Sequence, residues 1–462
     1  MPFAMCCSGL GLWTKKDEDD FEDYAMDKLE AMLSENITKL SEAEPMGPEE
    51  STKLARLIYN SMTTSGRVYH SMMHVFDISQ TMNDPVLILT ALFHDVIYYQ
   101  IDRTFDEAQI ETLKGLLVPD SEPLKLKPSF DESLINSIIE LYGLEAGSEL
   151  PKSGTNEFLS AIIGVRLLQK WLSQEHLIQI ATCIEATIPF RPVIDGKTPM
   201  DRLYDRLAAV AVEKSESWLV ETVRMAAATA NCDLCSFDSN DRDFFLDSSW
   251  KLIPEGRPIL LHEDCPLMEF LLECHALMGR SFFLQGAVPK IFQSFRQVPS
   301  DSEMEDKQRK TRDNLSLVIV YGEVRLLQMM CLVAFAKAVG EDPLLVPLRP
   351  YLSLEVLEPT KANTTLTSTE RQIRHWLVSG RRASFDWDPA SSSLGRYLFD
   401  KLGTKGISEL SEVGRSQEKG STEILNHLPK TMVEAIGKSL AKHFPEKKES
   451  YIQVSKKFGA SN

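Results

Sequence analysis

The stretch LILTALFHDVIYYQ, residues 87–100, decides how the chain reads. It is apolar nearly all round, which is the pattern of a buried helix. Asp84 suits an N-cap and Pro85 the first helical position, so the spacing predicts a helix over 84–99. Two adjacent ionisable groups, His94 and Asp95, sit near its C-terminal end. Burying a charge is expensive unless it is paired or holds a metal, so the pair needs a reason to be there.

A reason lies just upstream, in GRVYHSMMHV at 66–75. On a helix predicted over 68–82, His70 and His74 are four apart and share a face. Only a few residues join this helix to the next, so the two pack antiparallel and can bring His70 to His94 and Asp95. Imidazole with carboxylate is a donor set for Zn, Mn, Fe or Mg.

Working outward, helical periods continue through 50–62, 104–118, 131–142, 155–171, 174–187, 200–213 and 215–232. The polar gaps at 118–132 and 143–157 are rich in Pro, Gly and Ser and read as loops. Strand-like alternation is scarce, so the expectation is an all-α fold. Residues 1–24 read as an acidic, disordered lead and 25–240 as one helical domain. Residues 241–350 read as a helical extension of the same core, with DSEMEDKQRK (301–310) a charged loop. Residues 351–462 read as an accessory region, flexible near 401–422.

The formal charge of −17 gives no general affinity for nucleic-acid backbone or anionic lipid, because both need clustered Lys and Arg. Eight cysteines without the spacing of a secreted scaffold point to a reducing, cytoplasmic compartment. SLVIVYGEVRLLQMMCLVAFAKAV (316–339) carries Glu323, Arg325 and Gln328 and reads as a core helix, so no transmembrane segment is expected. MPFAMCCSGLGLW (1–13) lacks the charged lead of a signal peptide, and Cys6-Cys7 reads either as an acylation site or as a disordered tip. The oligomeric state is open, a homo-oligomer included.

RVYHSMMHV followed by ALFHDVIY resembles the HD-domain superfamily of metal-dependent phosphohydrolases. It is closest to the branch with Tyr-His-Asn-x-x-His ahead of a Phe-His-Asp helix, and Ser71 stands where that branch carries Asn. The resemblance covers roughly residues 50–240 and implies an HD-type helical bundle. It also implies a divalent metal held by His70, His94, Asp95 and a distant Asp. The best distant residue is Asp233 in RMAAATANCDLCSF, on a small-residue helix whose ending resembles the family's Ala-Asn-x-Asp. Asp195, Asp201 and Asp205 compete, although an Asp at a helix start is usually a cap. His74 reads as a partner of the ligands or a pocket residue, with direct ligation a third option. Only His176 lies between the His-Asp pair and Asp233 to support a second ion, so one ion is favoured.

Such an ion polarises phosphorus and acidifies a bound water. Around it, Arg191 and Arg67 read either as phosphate clamps or as structural arginines. Glu107 reads as a proton shuttle or as an ordinary first-turn acid. Cys232-x-x-Cys235 lacks a second pair for a zinc ribbon. RRASF (381–385) has the two arginines before Ser384 that basophilic kinases read, or is only a solvated basic face. The expected activity is hydrolysis of a nucleotide or another small phosphate ester. Rivals are a silent HD-type binding module, a di-iron oxygenase on an HD-like scaffold, and a structural helical protein with coincidental histidines.

Overall fold

The computed structural model describes residues 15–41, 45–356, 366–382, 385 and 387–459. Cys6, Cys7 and Ser384 lie outside the described residues. The fold is all-α, and only isolated β-bridges accompany the helices among the described residues.

The chain opens with α1 (Lys15–Leu40), α2 (Pro48–Met62), α3 (Met72–Ser79), α4 (Pro85–Phe93) and α5 (Tyr99–Asp102). There follow α6 (Glu107–Leu113), α7 (Ser133–Leu141), α8 (Thr155–Leu168), α9 (Gln174–Ala186), α10 (Pro199–Val210) and α11 (Glu216–Asp233). The starts are written in the sequence. Asp84 caps α4 by accepting from the amides of Val86 and Leu87, and Asp106 with Gln109 forms a capping box at α6.

The remaining helices are α12 (Arg242–Gly256), α13 (Leu267–Ala287), α14 (Asp301–Ala338), α15 (Leu348–Leu352) and α16 (Ser368–Ser379). The last four are α17 (Ser393–Ser416), α18 (Ile424–His427), α19 (Lys430–His443) and α20 (Lys448–Lys457).

The chain divides into two units. Of the described residues, one holds those within 15–238 and 287–310, and the other those within 239–286 and 311–459. In the first unit α9 packs on α4, α8 and α11, and α1 covers α4 and α2. Leu89, Leu92, Phe93, Phe158, Ile162, Ile180, Ile184 and Val223 are buried in its core. Gly164 lets α8 approach α4: a Cβ there would lie 3.2 Å from the Phe93 Cβ. In the second unit the apolar part of α14 is buried, as its reading as a core helix predicts. It is the one helix among the described residues long and apolar enough to cross a membrane, and 94% of that window is buried. Its Arg325 pairs with Asp388, which also accepts from Arg381 at 2.8 Å and from the Trp250 indole at 2.6 Å.

Four boundary expectations need correction. Residues 15–24 are helical rather than disordered. Residues 241–350 are not an extension of the first core: 239–286 and 311–350 lie with 351–462, and only 287–310 lie with the first unit. DSEMEDKQRK is the first turns of α14, because Ser300 and Glu303 cap it reciprocally and Lys310 pairs with Asp306 one turn back. Residues 401–416 are helical apart from a kink at Gly403, where φ is 64°; Ile407, Ser411 and Gly414 bury one narrow face that a polar composition hides.

Candidate metal centre

Helix α4 ends at Phe93, with His94 as its C-cap, so Asp95 through Tyr98 leave the helix while still deep in the first unit. Backbone groups buried there need partners outside a helical ladder. Four side chains from three places supply them. Arg67 Nη1 donates to the Asp95 carbonyl at 2.5 Å, and Gln109 Nε2 to the Val96 carbonyl at 2.9 Å. Ser160 Oγ accepts from the Ile97 amide at 3.0 Å, and Asn156 Oδ1 from the Tyr99 amide at 2.9 Å. These straps fix where the His94 and Asp95 side chains point.

The predicted helix over 68–82 begins only at Met72, with Ser71 as N-cap, because Arg67 to Ser71 stay irregular. His70 and His74 therefore do not share a helix face. His74, in the first turn of α3, is buried beside the pair. Asp233, the last residue of α11, arrives from the other side. Asn231 anchors that helix end by donating to the Gln293 carbonyl at 2.8 Å and accepting from its amide at 2.7 Å.

Four side chains meet. His74 Nε2 is 3.0 Å from Asp233 Oδ1 and 3.9 Å from Asp95 Oδ2. His94 Nε2 is 3.1 Å from Asp95 Oδ2 and 3.6 Å from Asp233 Oδ1. One nitrogen from each histidine and one Asp233 oxygen all lie within 4.8 Å of one another, a set able to hold a metal ion. Donors held about 2 Å from one ion lie roughly 3–3.5 Å apart, so the spacing suits a divalent cation. His94 Nδ1 faces the Ala91 carbonyl at 2.9 Å, the hydrogen bond that leaves Nε2 as the donor to a metal. His94 Nε2 and Asp95 Oδ2 are buried and have no hydrogen-bond partner. At 3.1 Å they form an ion pair when the imidazole is protonated, and the same two atoms are available to a cation that displaces the proton.

The local field agrees. Burial opposes charge on His94, but Asp95 and Asp233 outweigh it and hold His94 well above the usual histidine range. Against its own burial, Asp95 is held well below the carboxylate range by His94, with His70 and His74 adding to it. Asp233, also buried, is lowered to about 2 by its contacts with His74 and His94. A cation entering this site displaces protons from the imidazoles.

Of the residues expected from sequence, the structure brings His94, Asp95 and Asp233 together. His74 joins them, and His70 also acts on the Asp95 carboxylate. His70 is half-buried alongside, 4.4 Å edge-on to the Tyr98 ring and 5.7 Å from the His74 ring. Arg67 is buried, paired with Asp102 and strapping Asp95 from behind. Glu107 is exposed in the first turn of α6. Arg191 donates to the buried Glu185 at 2.5 Å. The competitors stand elsewhere: Asp201 is in the capping box of α10, Asp205 pairs with Lys197 at 2.6 Å, and Asp195 is exposed.

Two residues escaped the sequence reading. The Tyr69 ring packs 4.8 Å from His70 and 4.7 Å from His74. Glu157, half-buried on α8, is pushed up to about 7 by burial and by the Asp95 and Asp233 charges. A tyrosine beside a histidine and an acid in a helix's first turn carry no pattern that marks them.

No family model, curated protein or solved structure matches the chain.

Proposed function

We propose that the first unit is an HD-type, metal-dependent phosphohydrolase acting on a nucleotide or another small phosphate ester. The observation that carries this reading is the convergence of His74, His94, Asp95 and Asp233 from three separated segments onto one buried point. Two imidazoles and two carboxylates suit Mn, Fe, Zn or Mg, and they leave coordination positions for other ligands. A divalent ion there supplies Lewis acidity to a phosphoryl group and acidifies a water.

The chain's own residues do the rest. Asp95 and Asp233 balance the cation's charge, and Arg67 holds the Asp95 backbone in place. His70, more open than His74 and His94, hands a proton to the departing oxygen. Tyr69 and Tyr98 pack against His70 and fix its ring. The cysteine spacing supports a reducing, cytoplasmic setting for this activity.

The test is metal analysis and turnover on one preparation. Purified protein should carry about one equivalent of a divalent metal and cleave a generic phosphomonoester or phosphodiester. Both should vanish in His94→Ala and Asp95→Ala. Full metal content in those variants would place the site elsewhere. Bound metal with no hydrolysis across a broad nucleotide panel would leave a metal-binding regulatory module.

A further inference from the structure

Arg191 follows α9 by five residues and opens an exposed loop, Pro192–Lys197. Phe190 before it adopts a left-handed backbone with φ 56°, a conformation a bulky side chain seldom takes. The guanidinium is anchored by one corner only: Nη1 donates to Glu185 Oε1 at 2.5 Å. Its other edge, Nε with Nη2, is closed to water and has no partner. That edge is the planar fork that grips two oxygens of one anion. Leaving it unmade costs about 1–3 kcal/mol per donor, which an anion with two oxygens on this edge would recover.

The charge around it is unbalanced. Glu185 is shared by Arg191 and Arg206, and the excess positive charge of Arg191 and Arg202, added to burial, lowers Arg206. Arg206 has both atoms of the same edge engaged, Nε donating to the Leu141 carbonyl at 2.6 Å and Nη2 to Glu185. Arg191 is thus the member of the cluster with donors to spare. The cluster lies in the same unit as the metal group, and Glu157 feels the charges of both.

We propose that the Nε/Nη2 edge of Arg191 is a binding site for a phosphoryl oxyanion, one that works without the metal. It deepens the phosphohydrolase reading by giving the substrate's anionic group a protein contact outside the ligand set. A dianion suits the site better than a carboxylate, because Arg191, Arg202 and Arg206 set three positive charges against the one of Glu185.

The experiment uses the full chain stripped of metal, so hydrolysis plays no part in it. Inorganic phosphate is titrated calorimetrically into wild type, Arg191→Lys and Arg206→Lys, with sulfate and acetate as further arms. Arg191→Lys keeps the charge beside Glu185 but removes the fork. We expect phosphate, and sulfate more weakly, to bind wild type and Arg206→Lys. Binding should fall about tenfold or more in Arg191→Lys, with unchanged circular dichroism. Equal binding by wild type and Arg191→Lys, no binding by wild type, or acetate binding as tightly as phosphate overturns the proposal. If Arg191→Lys does not fold, a wild-type crystal grown with phosphate decides: phosphate on the Nε/Nη2 edge supports the site, and water there overturns it. Phosphate binding without turnover in the metal-loaded protein would separate a failure of the phosphohydrolase reading from a failure of this one.

Discussion

His94 Nε2 and Asp95 Oδ2 face each other 3.1 Å apart, both buried and neither with a hydrogen-bond partner. Adjacent residues at the end of an apolar helix are held in this arrangement by straps from Arg67, Gln109, Ser160 and Asn156. A cation that displaces the imidazole protons would bind the folded site and not the unfolded chain, so metal binding and stability would be linked. Saturating the stripped protein with Mn²⁺ or Zn²⁺ should stabilise it by about 2–4 kcal/mol at 100 to 1,000 times the dissociation constant. Chelation should reverse the gain. Thermal denaturation with and without metal checks this, and an unmoved midpoint would speak against the site.

Arg67 supports the site from behind. Its guanidinium is buried between Asp102 and the Asp95 carbonyl. Arg67→Met should cost about 3 kcal/mol, chiefly because the mostly buried Asp102 is left without its partner. Arg67→Met combined with Asp102→Asn should cost less than the sum of the two single changes. Denaturant unfolding of the three variants measures the coupling. Strict additivity would mean the pair does not act as a unit.

Glu157 makes the metal-free protein sensitive to pH. Its carboxyl is pushed up to about 7 by burial and by the Asp95 and Asp233 charges, from the usual 4.5. Between those values the unfolded chain sheds the proton while the folded chain keeps it. Stability is therefore lost as pH rises through this window, and the loss is complete above the folded value. Glu157→Gln removes that slope. Above pH 7 the variant should be more stable than wild type by about 1–2 kcal/mol, a figure reduced for partial exposure. Melting curves at pH 5 and pH 8 test the sign, and an equal gap at both values would remove Glu157 as the cause.

Gly164 sets how closely α8 lies on α4. A branched side chain there meets Phe93, the residue before His94. Gly164→Val should destabilise by about 2 kcal/mol and weaken metal binding through the shifted helix end. A stable variant with full metal affinity would show that α8 can yield without moving His94.

The parts of this site that could be read from sequence are those that break a local pattern. His94-Asp95 stands out because charge interrupts an apolar run, and Asp233 because it ends a small-residue helix. The resemblance implies ligation by His70, with His74 as a partner, on a helix over 68–82 that puts both on one face. Helix α3 starts only at Met72, which leaves His70 outside it and His74 in its first turn. Ser160 is a single polar residue among apolar neighbours, and Asn156 and Gln109 lie in mixed polar stretches. Nothing local distinguishes a strap to a distant backbone from an ordinary polar position. The same limit hid the helical starts at 15–24 and 301–310 and the narrow buried face of 401–416, where charge or polarity outweighs a few buried contacts.

The most direct test is metal content of His70→Ala and His74→Ala, measured by mass spectrometry on protein purified identically to wild type. A centre built on His74, His94, Asp95 and Asp233 predicts that His74→Ala loses its metal. His70→Ala should keep about one equivalent while its turnover falls on the order of 10²–10⁴-fold. Metal lost from His70→Ala and retained by His74→Ala would contradict it.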